Sequence, residues 1–146
     1  MRLSIPAPTK MALGLIPAAM AFAGPALAAD PIVGDWITAE RDAIIKISQC
    51  GPTICGRIQK FLVTPPNGAG QKDIHNPDKN LRNRTILGMA ILTGFKPDGD
   101  IWRGKVYDPK SGKTYRSEVS LKSANSLKMK GCVAFYCQGQ DWTRAK

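Results

Sequence analysis

The stretch IWRGKVYDPKSGKTYRSEVSLKSANSLKMKGCV, residues 101–133, decides the fold class. It contains three short β-rich runs, at 101–108, 114–122 and 126–133, and each break between them has turn chemistry. The first break reads Asp-Pro-Lys-Ser-Gly and the second reads Ser-Ala-Asn. Because tight turns join strands that run in opposite directions, this stretch predicts an antiparallel meander.

The same pattern continues on both sides of this stretch. Further β-rich runs lie at 34–38, 43–50, 55–62, 89–96 and 140–144, and Pro-Asp-Gly-Asp at 97–100 supplies another turn. No helical periodicity of useful length interrupts the series. A meander of eight short strands must pair its edges or close on itself. We therefore expect an all-β fold, an eight-stranded antiparallel up-and-down barrel.

One connection, residues 63–88, is much longer than the turns. Its first part has the Pro, Gly and Asn composition of a loop, and its second part predicts one helical turn with Asn76 as its cap and Pro77 at its first position. A loop of this length in a compact domain often has a function, for example as a lid. The alternative is a flap packed over one end of the barrel.

Residues 1–28 have the three features of a secretory signal. Arg2 and Lys10 come first without any acidic residue, an apolar run follows at 11–23, and the small residues Ala26 and Ala28 form an A-x-A cleavage site. The apolar run is shorter than the roughly 20 residues that a membrane-spanning helix needs. We expect cleavage after Ala28, which leaves a single β-barrel domain at 29–146. No later apolar run predicts a transmembrane segment.

The chain is basic, with 21 Lys and Arg against 11 Asp and Glu and a net charge of +10. Arg2 and Lys10 leave with the signal, so the predicted exported domain keeps a net charge of +8. Such a charge attracts anionic surfaces. However, the basic residues are scattered and never form a run longer than two, so the charge also suits solubility alone. Nothing in this pattern indicates specific binding of nucleic acid.

All four cysteines lie in the exported part, and an even number in an oxidising compartment predicts disulfides. A zinc site is the alternative, but both pairs have the spacing C-x4-C, longer than zinc sites usually show. We predict local pairing, which requires the chain to turn between the members of each pair. Crossed pairing between the first and last hairpins is the rival, and it would close a larger loop. The predicted bridges are Cys50–Cys55 and Cys132–Cys137.

Two terminal motifs indicate how the barrel closes. Gly34-Asp35-Trp36 opens the first strand and Asp141-Trp142-Thr143-Arg144 ends the last, a pattern that resembles the lipocalin and streptavidin superfamily. In such barrels a basic residue lies over the first tryptophan. We expect Trp36 to plug one end of the barrel, with Arg144 over its ring as a cation–π partner. This contact would join the first strand to the last.

The predicted exported domain also resembles a bacterial family known as domain of unknown function 2147. The resemblance rests on fragments in order along the chain: Cys50-Gly51, Cys55-Gly56-Arg57-Ile58, Leu87-Gly88, Ile91-Leu92-Thr93-Gly94-Phe95-Lys96, Gly104, Tyr107-Asp108-Pro109, Gly112-Lys113-Thr114-Tyr115 and Trp142-Thr143-Arg144. It implies an exported bacterial protein, periplasmic or secreted, with a lipocalin-like barrel. It implies no activity and no catalytic residues.

Alternation along 114–133 separates the two faces of these strands. Tyr115, Leu127 and Met129 fall on the apolar, inward face. The outward face carries basic residues on adjacent strands: Arg116, Lys128 and Lys130. Four glycines in or beside strands, namely Gly88, Gly94, Gly104 and Gly131, either leave room for an internal pocket or mark bends. Barrels of this size are either packed solid or hold one small ligand.

These features support three hypotheses about function. The leading one is a non-catalytic binder of a small, largely apolar ligand lined by Trp36, Phe95, Trp102, Tyr115, Leu127 and Met129. The second is a basic interaction module for an anionic envelope component, a glycan or a lipid headgroup. The third is a hydrolase that uses His75, the only histidine, although no nucleophile motif accompanies it.

We expect neither enzyme activity nor a cofactor or metal. The acidic residues that resemble calcium ligands sit in turns, where Asp is favoured because its side chain makes local hydrogen bonds. These residues are Asp98, Asp100 and Asp108.

Overall fold

The structure, a computed structural model, describes Gly24 and residues 30–146. The predicted signal peptide and its cleavage site therefore lie outside the described residues, apart from Gly24. Eight antiparallel strands form a closed barrel in simple sequence order, which confirms the predicted fold class. The strands are β1 (Gly34–Ile37), β2 (Ala43–Cys50), β3 (Thr53–Phe61), β4 (Ala90–Asp98), β5 (Ile101–Asp108), β6 (Lys113–Ser123), β7 (Ser126–Val133) and β8 (Tyr136–Arg144). No helix among the described residues is long and apolar enough to cross a bilayer.

The closed end of the barrel is built by the first and last strands. Trp36 is fully buried, and Arg144 pairs with it across β1 and β8 with its guanidinium carbon 4.2 Å from the ring centroid. The same guanidinium donates hydrogen bonds to the carbonyls of Pro31 and Val33. Glycine suits position 34, because the backbone φ is 141° and a Cβ there would displace the guanidinium. The N-terminal segment is thus tied across this end as a plug.

Apolar side chains fill the barrel next to that plug. Leu127 and Trp36 have no exposed surface, while Phe95, Val119 and Ile45 are each 1% exposed. Because these side chains are covered on all sides by other atoms, no space as large as a water molecule lies beside them. Burying this apolar surface supplies the main free energy of folding. The interior is therefore solid at the closed end.

The opposite end carries the long loop, and it differs from the prediction in one detail. The single helical turn is a 3-10 turn at Lys79–Leu81 capped by Asp78, so the prediction of Asn76 as its cap was wrong. The side chain of Asn76 is used elsewhere: its amide donates to Asp73, and its oxygen accepts from the backbone of Asp78. These two hydrogen bonds shift the start of the helical turn by two residues.

The hairpin turns are tighter than the sequence indicated. Gly51 and Pro52 alone separate β2 from β3, and Ala134 and Phe135 alone separate β7 from β8. The last strand therefore begins at 136 and not at 140, four residues earlier than predicted. Both hairpins carry a disulfide, Cys50–Cys55 and Cys132–Cys137, in the local arrangement.

Candidate ligand site at the open end of the barrel

The interior opens to solvent along β8. Residues directly opposite each other on paired strands share a face, and Trp142, Gln140 and Gln138 lie opposite the inward residues Leu127, Met129 and Gly131. This inward row changes from a buried Trp142, 3% exposed, to the exposed Gln140 and Gln138. The barrel is therefore solid at its plugged end and open in the half nearer the long loop.

The opening follows from the shortness of β1. Only Trp36 and Ile37 of β1 pair with β8, at its last two positions. Within residues 30–146, the rest of that edge of β8 has no strand beside it. The wall of the barrel is therefore interrupted next to Gln138 and Gln140.

Tyr115 and Gly131 form the wall facing this opening, and both are half-buried. A Cβ placed on Gly131 would meet only the Cβ of Tyr115, at 3.9 Å. At Gly104, by contrast, the ring of Phe95 already occupies the space. Gly88 and Gly94 are exposed and adopt positive φ, Gly88 in a turn and Gly94 where the β4–β5 register shifts. Of the four glycines named in the sequence, Gly131 is the one that borders free interior volume.

Trp142 presents an unusual polar group in this interior. Its Nε1 is buried and finds no hydrogen-bond acceptor among the described residues. The other two tryptophans are satisfied, with Trp36 donating to the carbonyl of Ile32 at 2.9 Å and Trp102 donating to Asp30 at 3.0 Å. A buried N–H without a partner costs about 1–3 kcal/mol. The site therefore gains stability from any acceptor that reaches this nitrogen.

The six residues predicted to line a ligand pocket do not stay together. The largest group is buried in the packed core, at 0–2% exposure: Trp36, Phe95, Leu127 and Met129. Trp102 lies at the plugged end, held by Asp30. Of the six, Tyr115 alone faces the open half of the barrel.

The long loop is fastened over the open end by a buried carboxylate. Asp73 has no exposed surface, and it accepts hydrogen bonds from the Tyr107 hydroxyl at 2.5 Å, from Asn76 at 2.7 Å and from Arg84 at 3.1 Å. The loop also lies on the β5–β6 turn, where Gly112 leaves room for the carbonyl of His75. These contacts match the interpretation of the loop as a flap over one barrel end.

The electrostatics of this anchor are those of a stable ion pair. Burial by itself would raise the pKa of Asp73, but the hydrogen bonds from Tyr107, Asn76 and Arg84 outweigh it and lower that pKa. Burial, together with the hydrogen bond to Asp73, raises the pKa of Tyr107 to about 12. The carboxylate therefore stays ionised, and the phenol stays protonated, across the physiological range.

A family model for an uncharacterised protein conserved in bacteria, domain of unknown function 2147 (DUF2147), matches residues 34–144, which contain all eight strands. The chain belongs to the DUF2147 family. This confirms the resemblance noted in the sequence. Among solved structures, a Helicobacter pylori protein described as belonging to the lipocalin family is similar to this DUF2147 domain, with a TM-score of 0.63. The two proteins share 21% identity over 71% of this chain and 73% of that one, which shows a common fold. No curated protein matches the chain.

Other polar residues of the DUF2147 domain serve local structure. His75 is exposed on the long loop, and the described residues contain no group of three or more His, Cys, Asp or Glu that could hold a metal ion. Asp108 accepts from the backbone of Lys110 and the hydroxyl of Ser111, and Asp98 accepts from Arg103.

Sequence reasoning missed the residues that shape the open half: Trp142 as an unpaired donor, Gln138 and Gln140 as inward residues, and Asp73 with Tyr107 as the loop anchor. Alternation extended back from Trp142 was the signal that places the two glutamines inward.

Proposed function

We propose that this DUF2147 domain is an exported, non-catalytic binding protein for a small ligand that combines an apolar body with a hydrogen-bond acceptor. The observation that carries the proposal is the buried, unpaired Nε1 of Trp142 in the inward row that leads to the open half of the barrel. Buried donors are almost always satisfied in proteins, so an unpaired one in the row that leads to the open half favours a missing acceptor.

The surroundings define the chemistry of the ligand. Gly131 and the ring of Tyr115 offer apolar surface, and the inward amides of Gln138 and Gln140 add donors and acceptors near the mouth. Small-ligand sites typically combine such an apolar lining with a few placed polar groups. A flat apolar molecule bearing a carbonyl, carboxylate or sulfonate group fits this arrangement.

The absence of catalysis is part of the proposal. Among the described residues, Asp73 is the one carboxylate with no exposed surface, and its oxygens are occupied by Tyr107, Asn76 and Arg84, which fasten the loop. Disulfides at both hairpins support residence in an oxidising compartment, outside the cytosol.

Titration with the fluorescent probe anilinonaphthalene sulfonate tests the site. Gly131→Phe places a ring in the open half and should abolish binding of the probe. Gly139→Phe is the matched control, because Gly139 lies on the outward face of β8, where an added side chain meets only the flexible stems of Lys128 and Lys130. It should bind the probe as the parent does. Equal binding by both variants would refute an internal site.

Trp142→Phe tests the unpaired donor directly. The change keeps an apolar ring and removes the N–H, so probe affinity should fall about threefold to tenfold, the value of one net hydrogen bond. Thermal stability should change little, because removing the unpaired donor offsets the loss of buried ring area. Native mass spectrometry of protein exported by its own host should also show a bound molecule in the parent and not in Gly131→Phe. If Trp142→Phe binds the probe as tightly as the parent, the assignment of the ligand acceptor to Nε1 is wrong.

A further inference from the structure

The turn between β7 and β8 presents large apolar side chains to solvent. Phe135 is fully exposed, Tyr136 is 72% exposed and Val133 is 60% exposed. We call residues 133–136 the aromatic tip. Soluble proteins seldom leave neighbouring aromatic side chains this open unless they contact a partner. The tip lies at the same end of the barrel as the long loop. Val133 and Tyr136 continue the face of Gly131 and Gln138 beyond the mouth of the ligand site proposed above, and Phe135 projects from the turn between them.

The conformation of the tip is fixed from three sides. Ala134 and Phe135 form a two-residue turn, with Ala134 at a φ of 50°. The Cys132–Cys137 disulfide joins the two strands directly behind it. The guanidinium of Arg116, on the neighbouring strand β6, donates to the carbonyl of Ala134. The exposed aromatic side chains are therefore held on a rigid support.

Positive charge surrounds this tip. Arg116 lies opposite Cys132 in the β6–β7 register, and continuing that register places Lys113 level with Phe135. Lys113 is exposed and Lys130 is half-buried, and among the described residues neither forms an ion pair. The nearby acids of the β1–β2 loop, Glu40 and Asp42, are both paired with Lys110. Asp108 lies opposite Lys113 in the β5–β6 register, where it accepts hydrogen bonds from the Lys110 amide and the Ser111 hydroxyl. A rigid aromatic projection therefore has basic residues without ion-pair partners beside it.

We propose that the aromatic tip inserts into the interface of an anionic lipid bilayer. Phe135 and Tyr136 would enter the boundary between headgroups and acyl chains, where amphipathic aromatic side chains are favoured. Lys113 and Arg116 would lie over the phosphates, each basic residue adding an attraction that is lost at high salt. The convex shape favours a bilayer over a protein partner, because a stable protein interface needs about 800 Å² on each side and a two-residue turn offers far less.

Co-sedimentation with vesicles tests this inference. The parent should bind vesicles of equal parts phosphatidylglycerol and phosphatidylcholine, and bind pure phosphatidylcholine much more weakly. Phe135→Ser should lower the partition coefficient at least tenfold, the factor expected when a phenylalanine side chain no longer becomes buried. Lys113→Gln should lower it about fivefold, and this loss should disappear at high salt.

Matched controls keep the outcome specific. Val63→Ser changes a valine that is 60% exposed, as Val133 is, but lies on the long loop. Lys96→Gln removes an exposed charge near the plugged end of the barrel. Both should bind vesicles like the parent, whereas Val133→Ser should bind more weakly. Equal binding to both vesicle types, or an unchanged partition for Phe135→Ser, would overturn the proposal. So would a shift of the parent to a dimer that Phe135→Ser abolishes, since the tip would then be a protein contact.

Discussion

Arg144 connects three parts of the chain with a single side chain. Its guanidinium lies over Trp36, donates to two carbonyls of the N-terminal segment, and donates through Nε to the carbonyl of Ala124. A planar, always charged fork makes these contacts together, whereas a lysine ammonium cannot.

Arg144→Ala should therefore lower the free energy of unfolding by about 1–3 kcal/mol, from the lost cation–π contact and the carbonyls left unpaired. Arg144→Lys should recover only part of that loss, because it restores the charge but not the fork. Urea unfolding followed by tryptophan fluorescence measures both. A lysine variant as stable as the parent would show that charge alone holds the plug.

Asp73 connects the long loop to β5 at the open end through its hydrogen bond from Tyr107. Its ionisation makes the stability of the fold depend on pH. Its folded pKa is lowered, so the ionised carboxylate stabilises the fold above the unfolded value near 4, and that contribution is lost as pH falls further. Asp73→Asn should cost about 1–3 kcal/mol at neutral pH, less than breaking a fully buried ion pair, because Arg84 is partly exposed.

Unfolding measured from pH 7 down to pH 2 checks this prediction. The parent should lose stability below about pH 4, and Asp73→Asn should show a shallower loss. Asp100→Asn, at an exposed turn position, is the control and should follow the parent. An identical slope in all three proteins would mean that Asp73 does not contribute to the acid sensitivity.

The strands show how much of the fold can be predicted from the sequence. Alternation and turn residues were enough for the order of β1 to β8, for the meander and for the local disulfides, because each depends on neighbours in the chain. The start of β8 was missed, since residues 136–139 are exposed on both faces and lack the alternation that marks a half-buried strand. The packed interior beside Trp36 and the open half beside Gly131 depend on side chains from several strands, which a linear pattern does not bring together.

The long loop is held to the barrel by close backbone contact as well as by Asp73. Gly112→Ala would drive a Cβ into the carbonyl of His75, at a backbone φ of 72°. Gly68→Ala is a matched control, because Gly68 has a φ of 76° with open space around it. Both substitutions strain the backbone by about 1 kcal/mol, and only the first displaces the loop.

Limited proteolysis should therefore cut Gly112→Ala within the long loop much faster than Gly68→Ala. The free energy of unfolding of Gly112→Ala should be lower than that of Gly68→Ala by about 1–3 kcal/mol. If the two variants are cut at the same rate, the contact with His75 does not hold the loop.

The molecule as a whole is expected to reach its compartment through the predicted signal. Protein exported by a bacterial host should begin Ala-Asp-Pro-Ile-Val, as read by N-terminal sequencing. A cut at the predicted position would leave Asp30 in the chain to accept the hydrogen bond from Trp102. A retained Met1 in the exported protein would refute the prediction of cleavage after Ala28.

The pairing of β1 with β8 at the plugged end, here called the seam, also means that the chain could begin at a different strand. The amide of Ala145 donates to the carbonyl of Asp35, so the two ends of the described domain lie side by side. Every strand pairs with its neighbours in sequence, and the seam is the one pairing between strands that are distant in sequence. A circular permutant that joins the ends through a short glycine linker and opens the exposed Asn67–Gly68 stretch should keep the same barrel, with the seam turned into an ordinary hairpin.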